Sequence, residues 1–189
     1  LKPGDTVIIR SHGISPEVYR ALQKKKINIV DATCPKVKDI QQKVEQLSRA
    51  KSEIIIVGNR HHPEIQGLLG YGQHQAVVVE NEEQARALPF KKKRAVLAQS
   101  TQDMQLFGKI VAILTEKTEE LSVYNTICQS TRVRQEATAE LASQVEALII
   151  VGGKNSSNTN RLYEISRRKQ KRTYFIESPE ELTPDMTRE

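Results

Sequence analysis

Two cysteines stand at equivalent places in the sequence, each where a strand-like run passes into a helix-like run. Cys34 ends the run Asp31-Ala32-Thr33-Cys34, and Cys128 ends Asn125-Thr126-Ile127-Cys128, at an offset of 94 residues. A Cys at a helix N-terminus lies near the positive end of the helix dipole, which favours the thiolate, the form that binds metal. A lone Cys is more often a buried apolar residue. Repetition at equivalent positions instead favours a pair of metal ligands.

The same offset of 94 residues relates further parts of the chain. Ile55 to Gly58 aligns with Ile149 to Gly152, and at that spacing His62 lies over Ser156. The same offset relates a Cys, a Gly and a polar helix start in the two segments, and this indicates internal duplication. We therefore expect one complete module over residues 34–127. Residues 1–33 form the end of an earlier module, and 128–189 form a third that lacks its last strand. This arithmetic predicts a parent protein of three modules, each directing one Cys toward a shared centre.

Other polar residues are expected at the carboxyl ends of strands, where open α/β sheets bind ligands. Ser156, Ser157 and Asn158 follow a strand and a Gly-Gly turn, and such a helix start can bind an anion; an ordinary serine cap is the alternative. His12 and His62 suit phosphate donors or metal ligands, although a structural histidine is the commoner role for either alone.

Glu64 follows His62 on the first turn of the same predicted helix. A carboxyl group there can support proton transfer. The alternative is a residue that only complements the helix dipole.

Short β-branched runs alternate along the chain with longer amphipathic stretches, which predicts an α/β fold with small parallel sheets. Strands are predicted at 7–9, 27–30, 54–57, 76–79, 95–98, 147–151 and 173–176. Helices are predicted to start near residues 15, 34, 62, 81, 129, 156 and 178, and one is predicted over about 102–120.

Composition excludes several classes of protein. The chain has 189 residues, a net charge of +6, 4% aromatic residues and no Trp, so an aromatic platform for single-stranded nucleic acid is not expected. Its apolar runs fall far short of the roughly 20 residues of a membrane-spanning helix. Two distant cysteines do not make a secreted disulfide scaffold, which favours a reducing, cytoplasmic location.

Three basic runs, 24–26, 91–94 and 167–172, are expected at helix ends or helix-to-strand loops, on the face opposite the candidate site. There they complement the negative ends of helix dipoles. Binding of a nucleic acid or an acidic protein is the less favoured interpretation.

Taken together, the motifs resemble the LytB/IspH family, the hydroxymethylbutenyl diphosphate reductases that end the non-mevalonate isoprenoid pathway. The resemblance extends over nearly the whole chain. The residues that carry it are Ser11-His12-Gly13 with Ser15-Pro16, Asp31-Ala32-Thr33-Cys34-Pro35, Gly58 with His62-Pro63-Glu64 and Gly67, Gln99-Ser100-Thr101, Asn125-Thr126-Ile127-Cys128 with Arg134-Gln135-Glu136-Ala137, and Asn155-Ser156-Ser157-Asn158-Thr159 with Arg161-Leu162.

The resemblance implies a pseudo-threefold trefoil of α/β modules around a 4Fe-4S iron–sulfur cluster, with Cys34 and Cys128 as two of three protein ligands. It also implies roles for polar residues in binding and reducing a small-molecule diphosphate. His12 and His62 would bind the diphosphate together with Ser156, Ser157 and Asn158. Glu64 would relay protons to the allylic hydroxyl, and Ser100 or Thr101 would belong to the same polar network. Electrons would come from a donor such as ferredoxin or flavodoxin, and the products would be isopentenyl and dimethylallyl diphosphate.

The chain departs from the family pattern at both ends. The family's first ligand Cys and a further substrate His would lie before Leu1, and a C-terminal serine segment would lie after Glu189. The chain is therefore expected to be a fragment that lacks both ends, holds no intact cluster and is inactive alone. Ser100 stands where family members often have Thr, which keeps the hydroxyl.

Two other functions stay open at this point. One is a basic anion- or nucleic-acid-binding α/β module without catalysis. The other is a cysteine-dependent hydrolase or redox protein, which needs a His paired with one Cys.

Overall fold

Strands and helices alternate through almost the whole computed structural model, which describes residues 1–73 and 75–187. The strands of the described chain are β1 Thr6–Ile9, β2 Asn28–Asp31, β3 Glu53–Val57, β4 Ala76–Val79, β5 Lys91–Ala98, β6 Thr118–Tyr124, β7 Leu148–Val151 and β8 Thr173–Ile176. The helices are α1 Pro16–Lys24, α2 Pro35–Arg49, α3 Pro63–Tyr71, α4 Glu82–Ala87, α5 Met104–Glu116, α6 Gln129–Ala142 and α7 Ser157–Lys169.

The chain divides into two compact units. The first comprises residues 1–100 and 104–126, and the second comprises residues 101–103 and those from 127 onward. In the first unit β1 pairs with β2, and four strands form a sheet in the order β4-β3-β5-β6. In the second unit β7 pairs with β8. All of these pairings are parallel, so the predicted α/β class with small parallel sheets is confirmed.

The core of the first unit lies where α2 and α3 pack against the four-stranded sheet. Its two inner strands are β3 and β5, and β3 together with residues 95–98 of β5 is mainly apolar and almost wholly buried, as strands covered on both faces must be. Ile40 and Val44 of α2 meet Ile54 and Ile56 of β3 in one cluster. The carboxyl ends of these two strands therefore lie in the buried core of the unit.

Proline opens three helices of the first unit. Pro16, Pro35 and Pro63 occupy the first helical position of α1, α2 and α3. Proline is favoured there because its fixed φ suits the helix and its missing N–H would have no helical partner. The helix starts predicted at residues 15, 34 and 62 are thus confirmed.

The second unit has a smaller core. Ala142, Leu148 and Ile150 are its buried cluster, with Leu162 and Tyr163 of α7 packed against them. Tyr163 also contacts Phe175 of β8, at a ring-centroid distance of 5.5 Å. Helix α7 is therefore fixed to the sheet of its own unit through one apolar face.

The basic run 91–94 corrects the sequence prediction. We expected it in a loop before a strand at residue 95, but it forms the first half of β5. Arg94 is fully buried, pairs with Glu53 of β3, and donates to the carbonyls of Pro89 and Lys117. A charge with this many partners can be buried, which a count of basic residues does not reveal.

Two further elements differ from the prediction. The helix expected over about 102–120 ends at Glu116, and β6 begins two residues later, because Thr118–Tyr124 completes the edge of the sheet beside β5. The helix expected at residue 178 is a single 3-10 turn, Pro179–Glu181. The module boundaries of the 94-residue repeat stay a prediction.

Within residues 1–73 and 75–187, no helix combines the length and the apolar character that crossing a membrane requires.

Candidate active site

Glu64 is a buried carboxyl group at the start of α3. Its side chain accepts two hydrogen bonds from Ser100, one from the backbone N–H at 2.7 Å and one from the hydroxyl at 2.6 Å. Only 1% of Glu64 is exposed. Burial raises the pKa of Glu64, and the two hydrogen bonds from Ser100 oppose that rise without cancelling it. The group therefore holds a proton more readily than an exposed glutamate does.

His62 forms the N-cap of α3. Its Nδ1 accepts a hydrogen bond from the backbone N–H of Glu64 at 3.2 Å. A neutral ring that accepts at Nδ1 carries its proton on Nε2. Burial, and then the neighbouring His12, lower the pKa of His62 to about 4. His62 is thus a neutral ring at pH 7 that can donate one hydrogen bond from Nε2.

His12 stands edge-on to His62, with ring centroids 5.0 Å apart and an interplanar angle of 84°. Burial, together with the charge of Arg10, lowers the pKa of His12. Its Nδ1 is buried and has no hydrogen-bond partner within the described chain. A buried ring nitrogen without a partner is costly and suits a site that a ligand completes.

Glycines allow the loops that carry these histidines to come close to their neighbours. Gly13 follows His12 with φ +71°, and a Cβ there would lie 2.3 Å from the side-chain amide of Gln41. Gly58 directly follows β3, and a Cβ there would lie within 2.9 Å of Gln99. The Gln99 amide oxygen accepts the N–H of Asn59 at 3.0 Å and so shapes the turn that leads to His62.

Cys34 is the N-cap of α2, and its backbone N–H donates to the Ser11 carbonyl at 3.0 Å. Before it, Asp31 accepts hydrogen bonds from the N–H and hydroxyl of Thr33 and pairs with Lys38 at 2.7 Å. These contacts, that of Lys38 first, lower the pKa of Asp31 to about 2. The Cys34 turn is therefore fixed on both sides.

A chain of direct contacts joins the predicted site residues of the first unit. Ser11, the residue before His12, bonds to Cys34; His12 contacts His62; His62 caps Glu64; and Glu64 bonds to Ser100. Sequence reasoning did not select Gln99 or Asp31. Both lie in the motif runs. Gln99 directly follows the buried end of β5 and Asp31 is the last residue of β2, so a polar residue where a strand ends was the available signal.

The second unit contains the predicted anion site at the start of α7. Ser156 is the N-cap, and its hydroxyl accepts the N–H of Thr159 at 3.3 Å. The hydroxyl of Ser157 lies 2.9 Å from that of Thr101. Asn158 has its amide oxygen buried without a partner among the described residues. The helix start thus combines hydroxyl groups with an unsatisfied amide.

Cys128 repeats the backbone geometry of Cys34. It is the N-cap of α6 with φ −65° and ψ 133°, against −55° and 133° for Cys34. Neither thiol is used in a side-chain cap or a disulfide, and each is partly exposed. Both cysteines thus occupy the predicted helix starts, Cys34 in the first unit and Cys128 in the second.

Two thiols of this kind fit two of the ligands of an iron–sulfur cluster, which proteins hold with thiolates. Over residues 1–73 and 75–187, no group of three or more His, Cys, Asp or Glu side chains is placed to hold a metal ion. The donor chemistry therefore fits the implied cofactor as a partial ligand set.

Comparison with known proteins gives the family. The sequence profile of the LytB protein family matches residues 2–189. The chain belongs to the LytB family. It is 44% identical over 190 residues to the 4-hydroxy-3-methylbut-2-enyl diphosphate reductase of Aquifex aeolicus (strain VF5), covering 99% of this chain and 66% of the relative. It is 45% identical over 180 residues to the enzyme of that name from Pelobacter propionicus, covering 95% and 64%. The chain thus spans slightly less than two thirds of these relatives.

Solved structures agree with this membership of the LytB family. The E-1-hydroxy-2-methyl-but-2-enyl-4-diphosphate reductase from Plasmodium falciparum superposes with a TM-score of 0.92 at 28% identity, covering 98% of this chain and 60% of that chain. A second structure, (E)-4-hydroxy-3-methyl-but-2-enyl diphosphate reductase, gives a TM-score of 0.65 at 43% identity, covering 98% and 67%. That enzyme is the terminal enzyme of the non-mevalonate pathway.

Proposed function

We propose that this chain is part of an oxidoreductase that removes the allylic hydroxyl of hydroxymethylbutenyl diphosphate and yields isopentenyl and dimethylallyl diphosphate. The relatives that carry this name supply the substrate class. The observation that carries the proposal is the buried Glu64 carboxyl, held by Ser100 directly beside the neutral His62. A proton donor beside hydrogen-bond donors suits the loss of a hydroxyl from an anionic substrate.

Cys34 and Cys128 would provide two of the three protein thiolates of a 4Fe-4S cluster. When bound, that cluster would supply the electrons of the reduction, one at a time. A donor such as ferredoxin or flavodoxin in the cytoplasm would replenish them. The remaining chemistry falls to side chains that bind the diphosphate and deliver protons.

Diphosphate binding falls to two groups of donors. His12 and His62 offer neutral N–H groups, which hydrogen-bond to phosphate oxygens without a change of protonation. The start of α7 offers backbone N–H groups and the positive end of the helix dipole, beside Ser156, Ser157 and Asn158. An acceptor atom of Asn158 that lacks a partner is consistent with an amide that turns its NH₂ toward a ligand.

Glu64 would give its proton to the departing hydroxyl. Replacement of that hydroxyl by hydrogen consumes two electrons and two protons and releases one water. Of the groups described, the Glu64 carboxyl has a raised pKa and already forms a hydrogen bond with a hydroxyl, that of Ser100. A raised pKa keeps an acid protonated closer to neutral pH, as proton donation requires.

The test is turnover of hydroxymethylbutenyl diphosphate by the full-length protein, purified without oxygen and supplied with a chemical reductant such as reduced methyl viologen. We expect isopentenyl and dimethylallyl diphosphate as products. In the same protein, Ser157→Ala should weaken binding of the diphosphate more than binding of the corresponding alcohol. Ser143→Ala, at the far end of α6, is the matched control. Absence of both products, or equal losses for the two ligands, would contradict the proposal.

The relatives reported above are reductases by name and give no support to the alternative of a nucleic-acid-binding module. The charges of the 91–94 run also point away from it. Lys93 and Lys91 lie 3.9 Å from Glu120 and Glu53, and Arg94 is buried. If nucleic acid were the ligand, affinity would fall steeply with salt.

A further inference from the structure

Three consecutive residues, Thr101, Gln102 and Asp103, form a segment that packs with residues from 127 onward, although its flanks on both sides belong to the first unit. We call them the 101–103 segment. Gln102 and Asp103 are each only 3% exposed. Buried polar side chains need partners, so the contacts of this segment show what holds it.

The partners of the 101–103 segment lie along one face of α7. The hydroxyl of Thr101 lies 2.9 Å from Ser157, and Arg161 Nη2 donates to the Gln102 amide oxygen at 2.9 Å. Arg168, further along α7, pairs with Asp103 at 2.9 Å. These α7 positions are four and seven residues apart, which places them on one side of a helix with 3.6 residues per turn. The segment thus runs along α7 residue by residue.

Gln102 is the central contact of the segment. Its amide oxygen accepts from Arg161 and also from the N–H of Asp103 at 2.8 Å, and its carbonyl accepts from Gln135 of α6 at 3.2 Å. Arg161 is held on its other side by Glu164, 2.6 Å from Nη1. A guanidinium fixed at two nitrogens is a rigid donor, because its planar fork loses little freedom on binding.

We propose that Arg161 is a positioning residue, which holds Gln102 against α7 and thereby keeps the Thr101 hydroxyl beside that of Ser157 at the helix start. The inference rests on the proposed diphosphate site, which Ser157 belongs to. Arg161 lies one turn beyond Ser157 and bonds to the residue next to Thr101. Loss of its guanidinium leaves the buried Gln102 oxygen with one donor fewer. The Thr101 hydroxyl is then no longer held beside the Ser157 hydroxyl.

Two other roles of Arg161 predict different results. If the charge of Arg161 acted directly on phosphate, its contribution to pyrophosphate affinity would be independent of the Ser157 hydroxyl. If it only stabilised the fold, its loss would lower the melting temperature without changing affinity for an anion. The two roles and the proposed one are separated by combining Arg161 and Ser157 variants in a double-mutant cycle.

The experiment is calorimetric titration of the full-length protein with inorganic pyrophosphate. We expect Arg161→Met to weaken pyrophosphate binding about tenfold, which corresponds to about 1.4 kcal/mol. Arg161→Lys should recover part of this loss, because an ammonium can still donate to Gln102. Arg167→Met removes the same charge from α7 at a residue that contacts Tyr163, and should change affinity less than twofold. Glu164→Gln keeps an acceptor oxygen for Arg161 and removes only the charge of a half-exposed carboxylate, so it should also stay within about twofold.

The double variant decides the role. Arg161→Met added to Ser157→Ala should weaken binding by no more than about twofold beyond Ser157→Ala alone, because the arginine acts through that hydroxyl. The inference would be overturned if the fold-losses in affinity of the two single variants multiplied in the double variant. A lower melting temperature of Arg161→Met with unchanged affinity would also overturn it. If Arg161→Met does not fold, Arg161→Lys carries the same comparison.

The outcome also separates this inference from the proposed function. Failure of the parent protein to bind pyrophosphate, or indifference of its affinity to Ser157→Ala, would contradict the diphosphate site. A loss with Ser157→Ala and none with Arg161→Met would leave the site standing and reject the positioning role.

Discussion

Ser100 donates both its backbone N–H and its hydroxyl to Glu64, one to each carboxylate oxygen. Two donors favour the ionised carboxylate, whereas burial favours the protonated acid, and the burial of Glu64 outweighs its hydrogen bonds. The arrangement fixes the orientation of the carboxyl group while leaving its proton available. Changes to this pair should therefore affect turnover more than folding.

Glu64→Gln should lower kcat of the full-length protein by about 100-fold or more, because the amide keeps the shape but has no acidic proton to give. Substrate affinity and the cofactor spectrum should change little. Glu45→Gln, at a partly exposed position of α2 that pairs with Arg49, is the control. Steady-state kinetics measure the effect, and turnover of Glu64→Gln within a factor of about two of the parent would return Glu64 to a structural role.

His62 should make stability depend on acidity. Its pKa is about 4 in the folded chain and about 6.5 in an unfolded one, so the unfolded state binds the proton more tightly between these values. Keeping His62 neutral therefore contributes to the free energy of unfolding in full above about pH 6.5. That contribution is lost as pH falls through about 4. His62→Asn, which keeps an N-cap acceptor, should lose less unfolding free energy than the parent between pH 7.5 and 4.5 in urea titrations.

A second variant separates the titration of His62 from its capping role. His62→Ala removes both, so it should lower stability by about 1 kcal/mol at pH 7.5 and share the weaker pH dependence of His62→Asn. A pH dependence of His62→Asn equal to that of the parent would show that the ring does not titrate as described.

The ion pair between buried Arg94 and partly exposed Glu53 should contribute strongly to the stability of the sheet. Glu53→Ala leaves a fully buried guanidinium without its carboxylate and should cost about 3–5 kcal/mol of unfolding free energy. Lys91→Ala removes the other cation near Glu53, 3.9 Å away and half-exposed, and should cost about 1 kcal/mol or less. Chemical denaturation measures both, and equal costs would mean that burial of Arg94 does not depend on Glu53.

Cys34→Ser and Cys128→Ser should each lower the iron content of the anaerobically purified full-length protein and its visible absorbance. A hydroxyl is a poor substitute for the thiolate that such clusters require. Ser11→Ala is the control beside Cys34, since Ser11 contacts that turn through its backbone carbonyl. Undiminished iron in either cysteine variant would contradict the ligand assignment.

Much of the fold could be predicted from local signals. Ser15, Pro16 and Pro35 mark helix starts through backbone preferences that do not depend on the rest of the chain. The start of β5 could not be predicted in this way. Four consecutive basic residues predict a loop. The strand can begin at Lys91 only because the folded sheet brings hydrogen-bond partners to Arg94.

The candidate site was predictable to the same degree. His62 and Glu64 stand out because they follow a strand and open a helix. The contacts of Gln102 with Arg161 and Gln135 join residues 59 and 33 positions away in sequence. No spacing rule predicts them, because they depend on how α6 and α7 pack beside one another.

The central position of β3 and β5 sets how fast backbone amides exchange with solvent. Both strands are hydrogen-bonded on both sides, and β3 and residues 95–98 of β5 are also covered on both faces. Their ladder continues to the bond from the Gln99 N–H to the Val57 carbonyl, 2.8 Å long. Amides of this kind exchange only through the largest opening motions of a protein. The slowest exchange in the first unit should therefore extend along both strands as far as Gln99, one residue before Ser100. Deuterium uptake should then be slowest in the strands next to Ser100 and Glu64, so this pair lies beside the part of the unit that opens last.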